Sequence, residues 1–330
     1  MPLSRLSQRL FRPKKNNLLS FLFLFLFLSF FSCTPDELDQ EYDLIPVDLP
    51  GHIHGIAFLN DSIGYVTGGD TWFSGFVGKT IDNGNSWNYD SLSPKMMMCI
   101  DLENDQGVIA GFEGLVYPLD GSDWRKQNIN RNDFIRDVEI IDDTSTLVVA
   151  GLAYRFGTIL KFTETGAARS VYGEEDDNPE LSAIEQINDN TFIAVGYGRI
   201  LRSTDKGESW IIIDQEGDFF KDVLFVDAMT GYIVGSDGLI LKTSDAGLNW
   251  SKVREGGNLD QGDRLKSITV TSTGELWVCG KSGLLLISTD EGSSWSAKKL
   301  NTDSDLNKVT FHNGSIFVGG QEGLFARIKL

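Results

Sequence analysis

The chain has 330 residues, with 47 acidic and 29 basic side chains, a formal net charge of −18 and three cysteines. Such an excess of carboxylates repels phosphate backbones and anionic lipid, which excludes nucleic acid as an expected partner. Cys99 and Cys279 stand far apart inside apolar runs, giving neither a disulfide framework nor metal-ligand spacing, and His52, His54 and His312 fall in no metal motif. No metal and no cofactor are expected, and both cysteines are read as buried free thiols.

The first element is a basic start, Arg5, Arg9, Arg12, Lys14 and Lys15, followed by LLSFLFLFLFLSFF at 18–31 and then Ser32-Cys33. This order predicts a secretory signal over residues 1–32, since the apolar run is shorter than the roughly 20 residues of a membrane-spanning helix. Its end resembles a bacterial lipobox. Ser32 fits, whereas Phe30 and Phe31 stand where leucine and a small residue are commoner. The resemblance implies a lipid on Cys33 and an exported outer-membrane lipoprotein, with the membrane reached through that lipid. The acidic DELDQE at 36–41 reads either as an export signal like those of surface lipoproteins in Bacteroidetes-type bacteria, or as a solvated tether over 33–41. Residues 1–32 hold five basic and no acidic side chains, so the remainder carries 24 basic and 47 acidic ones, a net of −23.

From residue 42 onward the chain repeats. Units run near 51–92, 96–129, 134–174, 181–217, 219–257, 264–300 and 305–330, a period of roughly 40. Each reads strand, turn, strand, turn, strand. VLFV, YIVGS and LILKT are apolar over four to six residues with Gly and Asp between them, and a fourth short strand such as WIIID (210–214) follows. Seven four-stranded repeats without helical periodicity predict an all-β, seven-bladed β-propeller. The last unit lacks its outer strand, and YDLIPVDLP at 42–50 is expected to supply it, closing the ring and covering a sheet edge.

Four units carry one phrase: TIDNGNSW (80–87), STDKGESW (203–210), TSDAGLNW (243–250) and STDEGSSW (288–295). It matches the Asp-box, S/T-x-D-x-G-x-x-W. Asp82, Asp205, Asp245 and Asp290 are expected to accept from nearby backbone N–H groups, as in an Asx turn. Gly84, Gly207, Gly247 and Gly292 supply positive φ. Trp87, Trp210, Trp250 and Trp295 cover the hairpin with an apolar face. A phrase that recurs at the same turn of four units is masonry, closing the hairpin between third and fourth strands.

The YIVGSDGLILKTSDAGLNW pattern is similar to repeats of the photosystem II stability/assembly factor family, seven-bladed propellers with many non-photosynthetic relatives. The resemblance covers most of 51–330 and implies a scaffold that binds protein partners. Photosynthetic members are described by an arginine-rich patch, whereas arginines here are few and scattered. Sialidases also carry Asp-boxes on propellers, but their Phe/Tyr-Arg-Ile-Pro motif is absent after the signal. A glycan binder or a glycosidase with its two carboxylates among the 47 acidic residues is the second reading.

Propellers commonly bind at a mouth of the central channel. Aligning the units on their first core residue (Ile56, Ile100, Val138, Ile184, Val223, Ile268, Val309) places His54, Met98, Arg136, Ser182, Lys221, Lys266 and Asn307 two residues earlier. His54, Arg136, Lys221 and Lys266 are the candidate binding residues of a basic crown, the alternative being solvated strand ends. The insertion TWFSGF (71–76) adds Trp72 and Phe73, with Phe76, as exposed aromatics. Tyr154, Arg155 and Tyr197 occupy the equivalent loops of units three and four. The sequence thus predicts a monomeric, lipid-anchored propeller that binds rather than catalyses, with no catalytic residue assigned and a membrane or surface protein complex, or a glycan, as its partner.

Overall fold

Apolar runs of β-branched and aromatic residues, broken by Gly, Asn and Asp turns, pair with their chain neighbours into seven antiparallel sheets. The computed structural model describes residues 35–39, 41–47, 51–70, 72–163, 166–173, 178–213, 215, 217, 219–255 and 264–330. The predicted signal and Cys33 lie outside the described residues. Blade 1 comprises His52–Phe58, Gly64–Asp70, Ser74–Thr80 and Asn88–Ser93. The innermost strands of blades 2 to 7 are Met97–Glu103, Ile135–Asp142, Leu181–Asn188, Phe220–Phe225, Leu265–Val270 and Leu306–His312.

The core is divided between the blades. Among the described residues, seven clusters of buried side chains occupy the seven joints between successive blades, one cluster per joint. Ile135, Val148 and Leu160 of blade 3 pack on Ala110 and Val116 of blade 2, and Phe317 and Phe325 of blade 7 pack on Ile53 and Val66 of blade 1. The last joint holds only if the ring closes. Closure comes, as the sequence predicts, from Tyr42–Leu44, which pairs antiparallel with Phe325–Lys329 in the register Tyr42↔Ile328 and Leu44↔Ala326.

The acidic stretch before it is not only a solvated tether. Asp36–Glu37 lies parallel to Ser296–Lys299 as a fifth strand of blade 6. The Leu38 N–H donates to the Lys299 carbonyl at 3.0 Å, and Lys298 Nζ donates to Asp39 at 2.8 Å. Carboxylates meet the lysines of that outer strand, and the added strand covers an edge that would otherwise present unpaired amides.

Each complete Asp-box folds alike. In the first, Thr80 Oγ1 donates to Asp82 Oδ1 at 2.8 Å and accepts from the Gly84 N–H at 2.9 Å. Ser86 donates its N–H and Oγ–H to the same carboxylate at 2.9 and 2.6 Å, and Trp87 Nε1 donates to the Gly84 carbonyl at 3.2 Å. The hydroxyls of Ser203, Thr243 and Ser288 do the same in the other three. The phrase also acts between blades. A Cβ added at Gly207 would sit 2.5 Å from Leu147 of blade 3, and one at Gly84 2.6 Å from Phe317 of blade 7. The box of one blade thus presses against the second strand of the blade before it. The residue ahead of each glycine, Asn83, Lys206, Ala246 or Glu291, also has positive φ.

Candidate binding site at the channel mouth

The innermost strands line the channel with alternate side chains. All seven crown residues aligned in the sequence, His54 to Asn307, line one cavity of about 160 Å³ at the throat of this channel. Above it a wider cavity of about 900 Å³ opens between Tyr154, Tyr197, Phe219, Lys221, Arg264, Lys266 and Asp305.

The crown is less cationic than its register suggests. Arg136 Nη2 lies 2.9 Å from Glu180, whose side chain is buried, and Lys266 Nζ lies 3.0 Å from Asp305. Lys266 also donates to Asn307 Oδ1 at 2.9 Å. Lys221 Nζ sits 3.2 Å above the Phe219 ring, a cation–π contact. Burial, aided by His52, Lys266 and Arg136, pushes the His54 pKa down to about 3, so the imidazole is neutral at physiological pH. Its Nε2 is buried without a hydrogen-bond partner.

Exposed aromatic rings form two groups, of which the first lines the wider cavity. Tyr154, Tyr197 and Phe219, from blades 3, 4 and 5, touch one another with centroids 5.0, 5.6 and 5.7 Å apart. Trp72 meets Phe112 and Phe134 edge-on at 6.1 and 6.2 Å, with Lys95 Nζ 5.1 Å from its ring. Tyr154 is 58% exposed, Tyr197 48%, Trp72 50% and Phe73 80%, so these rings are not core. Phe76 departs from the expectation. It is 2% exposed and belongs to the third strand of blade 1, because that hairpin is longer and its loop covers only 71–73. Arg155 is exposed, with its guanidinium 5.6 Å from the Phe156 ring.

The Tyr154 loop is strained. Leu152 pairs with Arg155, so Ala153-Tyr154 forms a two-residue hairpin turn with φ of 53° and 68°, and Phe156 follows at 59°. Asn-Gly is the usual choice for such a turn, and each bulky residue held there costs about 1–3 kcal/mol. Glu180 holds the loop in place. Its Oε2 accepts from the Tyr154 N–H at 2.8 Å while Oε1 engages Arg136, which ties the aromatic loop to the throat.

Below the throat, carboxylates stitch neighbouring blades. Asp101 accepts from the Ile140 N–H at 2.7 Å, Asp137 from Ile184 at 3.0 Å, Glu139 from Gln186 at 3.1 Å, and Asp222 from Ile268 at 3.1 Å. Ser267 and Thr269 do the same for Val309 and Phe311. Burial pushes the Asp101 pKa up to about 6, Asp137 to about 7 and Glu185 to about 8. Lys308 Nζ stands 3.5 Å from Asp222. Burial alone would lower its pKa, but Asp222, Asp137 and Glu185 outweigh that and raise it. Cys99 and Cys279 are free and buried, and burial pushes the Cys279 thiol up to about 12.

Sequence reasoning missed Glu180, Asp305 and Phe219, and with them Phe134 and Arg264. All five sit four residues before the core position of their unit, one step above the crown. The same alignment read two residues earlier finds them.

Residues 211–310 match the family model described as Photosynthesis system II assembly factor YCF48. A structure of YCF48 bound to D1 peptide superposes with a TM-score of 0.69 at 16% identity, over 90% of this chain and 100% of that one. YCF48 from Cyanidioschyzon merolae gives 0.69 at 13% identity, over 87% and 98%. A catalytically inactive virginiamycin B lyase from Staphylococcus aureus with quinupristin gives 0.72 at 12% identity, over 88% and 100%. At these identities the likeness shows the fold. No curated protein sequence matches the chain.

Proposed function

We propose that this seven-bladed propeller, whose repeats resemble those of the photosystem II assembly factor family, is a protein-binding scaffold that holds a segment of a partner at the channel mouth. The observation that carries this reading is the convergence of Lys221, Lys266 and Arg264 with the exposed Tyr154 and Tyr197 and the half-buried Phe219 around one concave opening, above a throat that Arg136 lines. Clustered aromatics beside cations are the composition of binding hot spots. The match to the YCF48 family and the peptide named with its structure point the same way.

The role includes a membrane. A lipid on Cys33 would make the protein an exported, outer-membrane lipoprotein, facing the periplasm or the cell surface. Cys33 precedes the blade 6 edge strand at Asp36 by three residues, at most about 10 Å of chain. So short a tether would hold the propeller close to its membrane, within reach of partners in or on it. The protein would work as a monomer.

The carbohydrate reading rests on the same exposed rings. Hydrolysis is less well served. Asp101, Asp137, Glu139 and Asp222 are spent on backbone amides of the next blade, and Glu180 and Asp305 at the mouth each pair with a cation. The test is crosslinking and co-purification of the tagged, membrane-anchored protein beside a Lys221→Glu/Lys266→Glu version. A specific protein recovered with the first and lost with the second supports the scaffold. Recovery of the same protein with both, or of glycan alone, overturns it.

A further inference from the structure

We infer that the mouth reads its partner through an aromatic cup, formed by Tyr154, Tyr197 and Phe219 beside Lys221, that takes one large apolar side chain of an acidic peptide segment. The inference rests on the protein-binding reading above and adds what that partner must present.

Three observations carry it. The first is the shape of the cup. Its rings come from three successive blades and meet at interplanar angles of 51°, 64° and 89°, turned inward on one another. A flat, open ring face would suit a pyranose. Inclined rings in mutual contact, walling one side of the wider cavity, suit the edge and face of a side chain laid on them. The second is the backbone at Ala153 and Tyr154. Both are held at positive φ, and the turn keeps a tyrosine where glycine would be relaxed. Tyr154 is 58% exposed, so the core gains little from this arrangement. The third is charge. Lys221 borders the cup at the Phe219 ring, with Lys266 and Arg264 along the same cavity, while Asp305 is the one carboxylate among the described residues that line it. On a chain of net charge −18, this opening is where an acidic segment can approach. An apolar side chain in the cup would drive water from Lys221 and strengthen its attraction for a neighbouring carboxylate.

Glu180 is the positioning residue. It grips the Tyr154 amide and the Arg136 guanidinium together, so the throat and the cup are set by one buried carboxylate.

The experiment uses the full chain in detergent and end-capped peptides as probes, read by calorimetry. The peptides are Gly-Glu-Phe-Asp-Gly, the same with Ala for Phe, and Gly-Lys-Phe-Lys-Gly, with a sialylated oligosaccharide alongside. The expected result is that the acidic Phe peptide binds about tenfold tighter than the Ala peptide. That preference should vanish in Tyr197→Ala, while Lys221→Gln weakens both acidic peptides alike. Unchanged melting temperatures show that both variants remain folded. Equal affinity for the Phe and Ala peptides, or a preference that survives Tyr197→Ala, overturns the cup. If the acidic peptides then still bind and still weaken in Lys221→Gln, protein capture at the mouth stands. Binding of the oligosaccharide alone overturns both readings. Binding of none of the probes up to about a millimolar overturns the cup as described.

Discussion

Replacing Lys308 with methionine should destabilise the propeller at pH 8 far more than at pH 5. Lys308 stands 3.5 Å from Asp222 and within the field of Asp137 and Glu185, while only a third of its side chain meets the channel. Removing one partner of a fully desolvated ion pair costs about 3–5 kcal/mol, and an exposed pair is worth at most about 1. The half-open channel places Lys308→Met at about 2–3 kcal/mol at pH 8. At pH 5, Asp137 and Glu185, whose pKa values burial raises to about 7 and about 8, carry their protons, and the loss falls to about 1 kcal/mol from the Asp222 contact alone. The wild type should itself lose stability from pH 5 to pH 8. A carboxyl whose folded pKa is raised binds more protons folded than unfolded across that window, so stability declines as pH rises through it. Calorimetric melting at both pH values reads the effect. With about 2–4 °C per kcal/mol in a domain of this size, the drop should be roughly 5–10 °C at pH 8 and 2–4 °C at pH 5. Equal drops at the two pH values, or none at pH 8, would refute the picture of buried carboxylates held by one lysine.

Asp245→Ala removes a carboxylate that accepts from Thr243 Oγ1 and from the Asn249 N–H and side-chain amide at 2.8–2.9 Å, and should cost about 1 kcal/mol at pH 7 in urea unfolding, without loss of partner capture. Hydrogen bonds from Asn249 depress its folded pKa, so the difference from wild type should shrink below about pH 4 and vanish as pH falls through the folded value; a gap that persists in acid contradicts the assignment. Gly207→Ala places a methyl 2.5 Å from Leu147 at a φ of 74° and should cost about 2–3 kcal/mol by thermal melting, more than the same change at Gly121, where nothing lies within 4 Å. Glu180→Ala leaves Arg136 without its carboxylate and frees the Tyr154 amide, so trypsin should cut at Arg155 about tenfold faster while stability falls by about 2–3 kcal/mol; an unchanged cleavage rate contradicts its grip on the loop.

The architecture was legible because its signals are local and repeated. Alternating apolar runs with Gly and Asp turns define strands wherever they occur, and the missing outer strand of the last unit together with the surplus YDLIPVDLP named the seam at Tyr42–Leu44. The Asp-box was legible as a turn because its hydrogen bonds lie within seven residues of chain. Its contact with the preceding blade was not, because Gly207 and Leu147 are far apart in sequence. The strand at Asp36–Glu37 was hidden by composition, since an acidic stretch reads as solvated until the lysines of Ser296–Lys299 appear beside it. At the mouth, register carried the crown residues to one cavity, but charge did not follow from register alone. Glu180 and Asp305 reach down from one step above to pair with Arg136 and Lys266. Phe219 and Tyr154 meet only because blades 3 and 5 flank blade 4, a proximity that no spacing along the chain encodes.

Protein capture at the mouth can be read by site-specific photocrosslinking in the native membrane. A photoreactive residue placed at Tyr197, on the mouth, should give one discrete protein adduct. The same residue at Leu248, exposed on an Asp-box hairpin, should give none. Adducts of equal yield from both positions, or none from Tyr197, would contradict the claim.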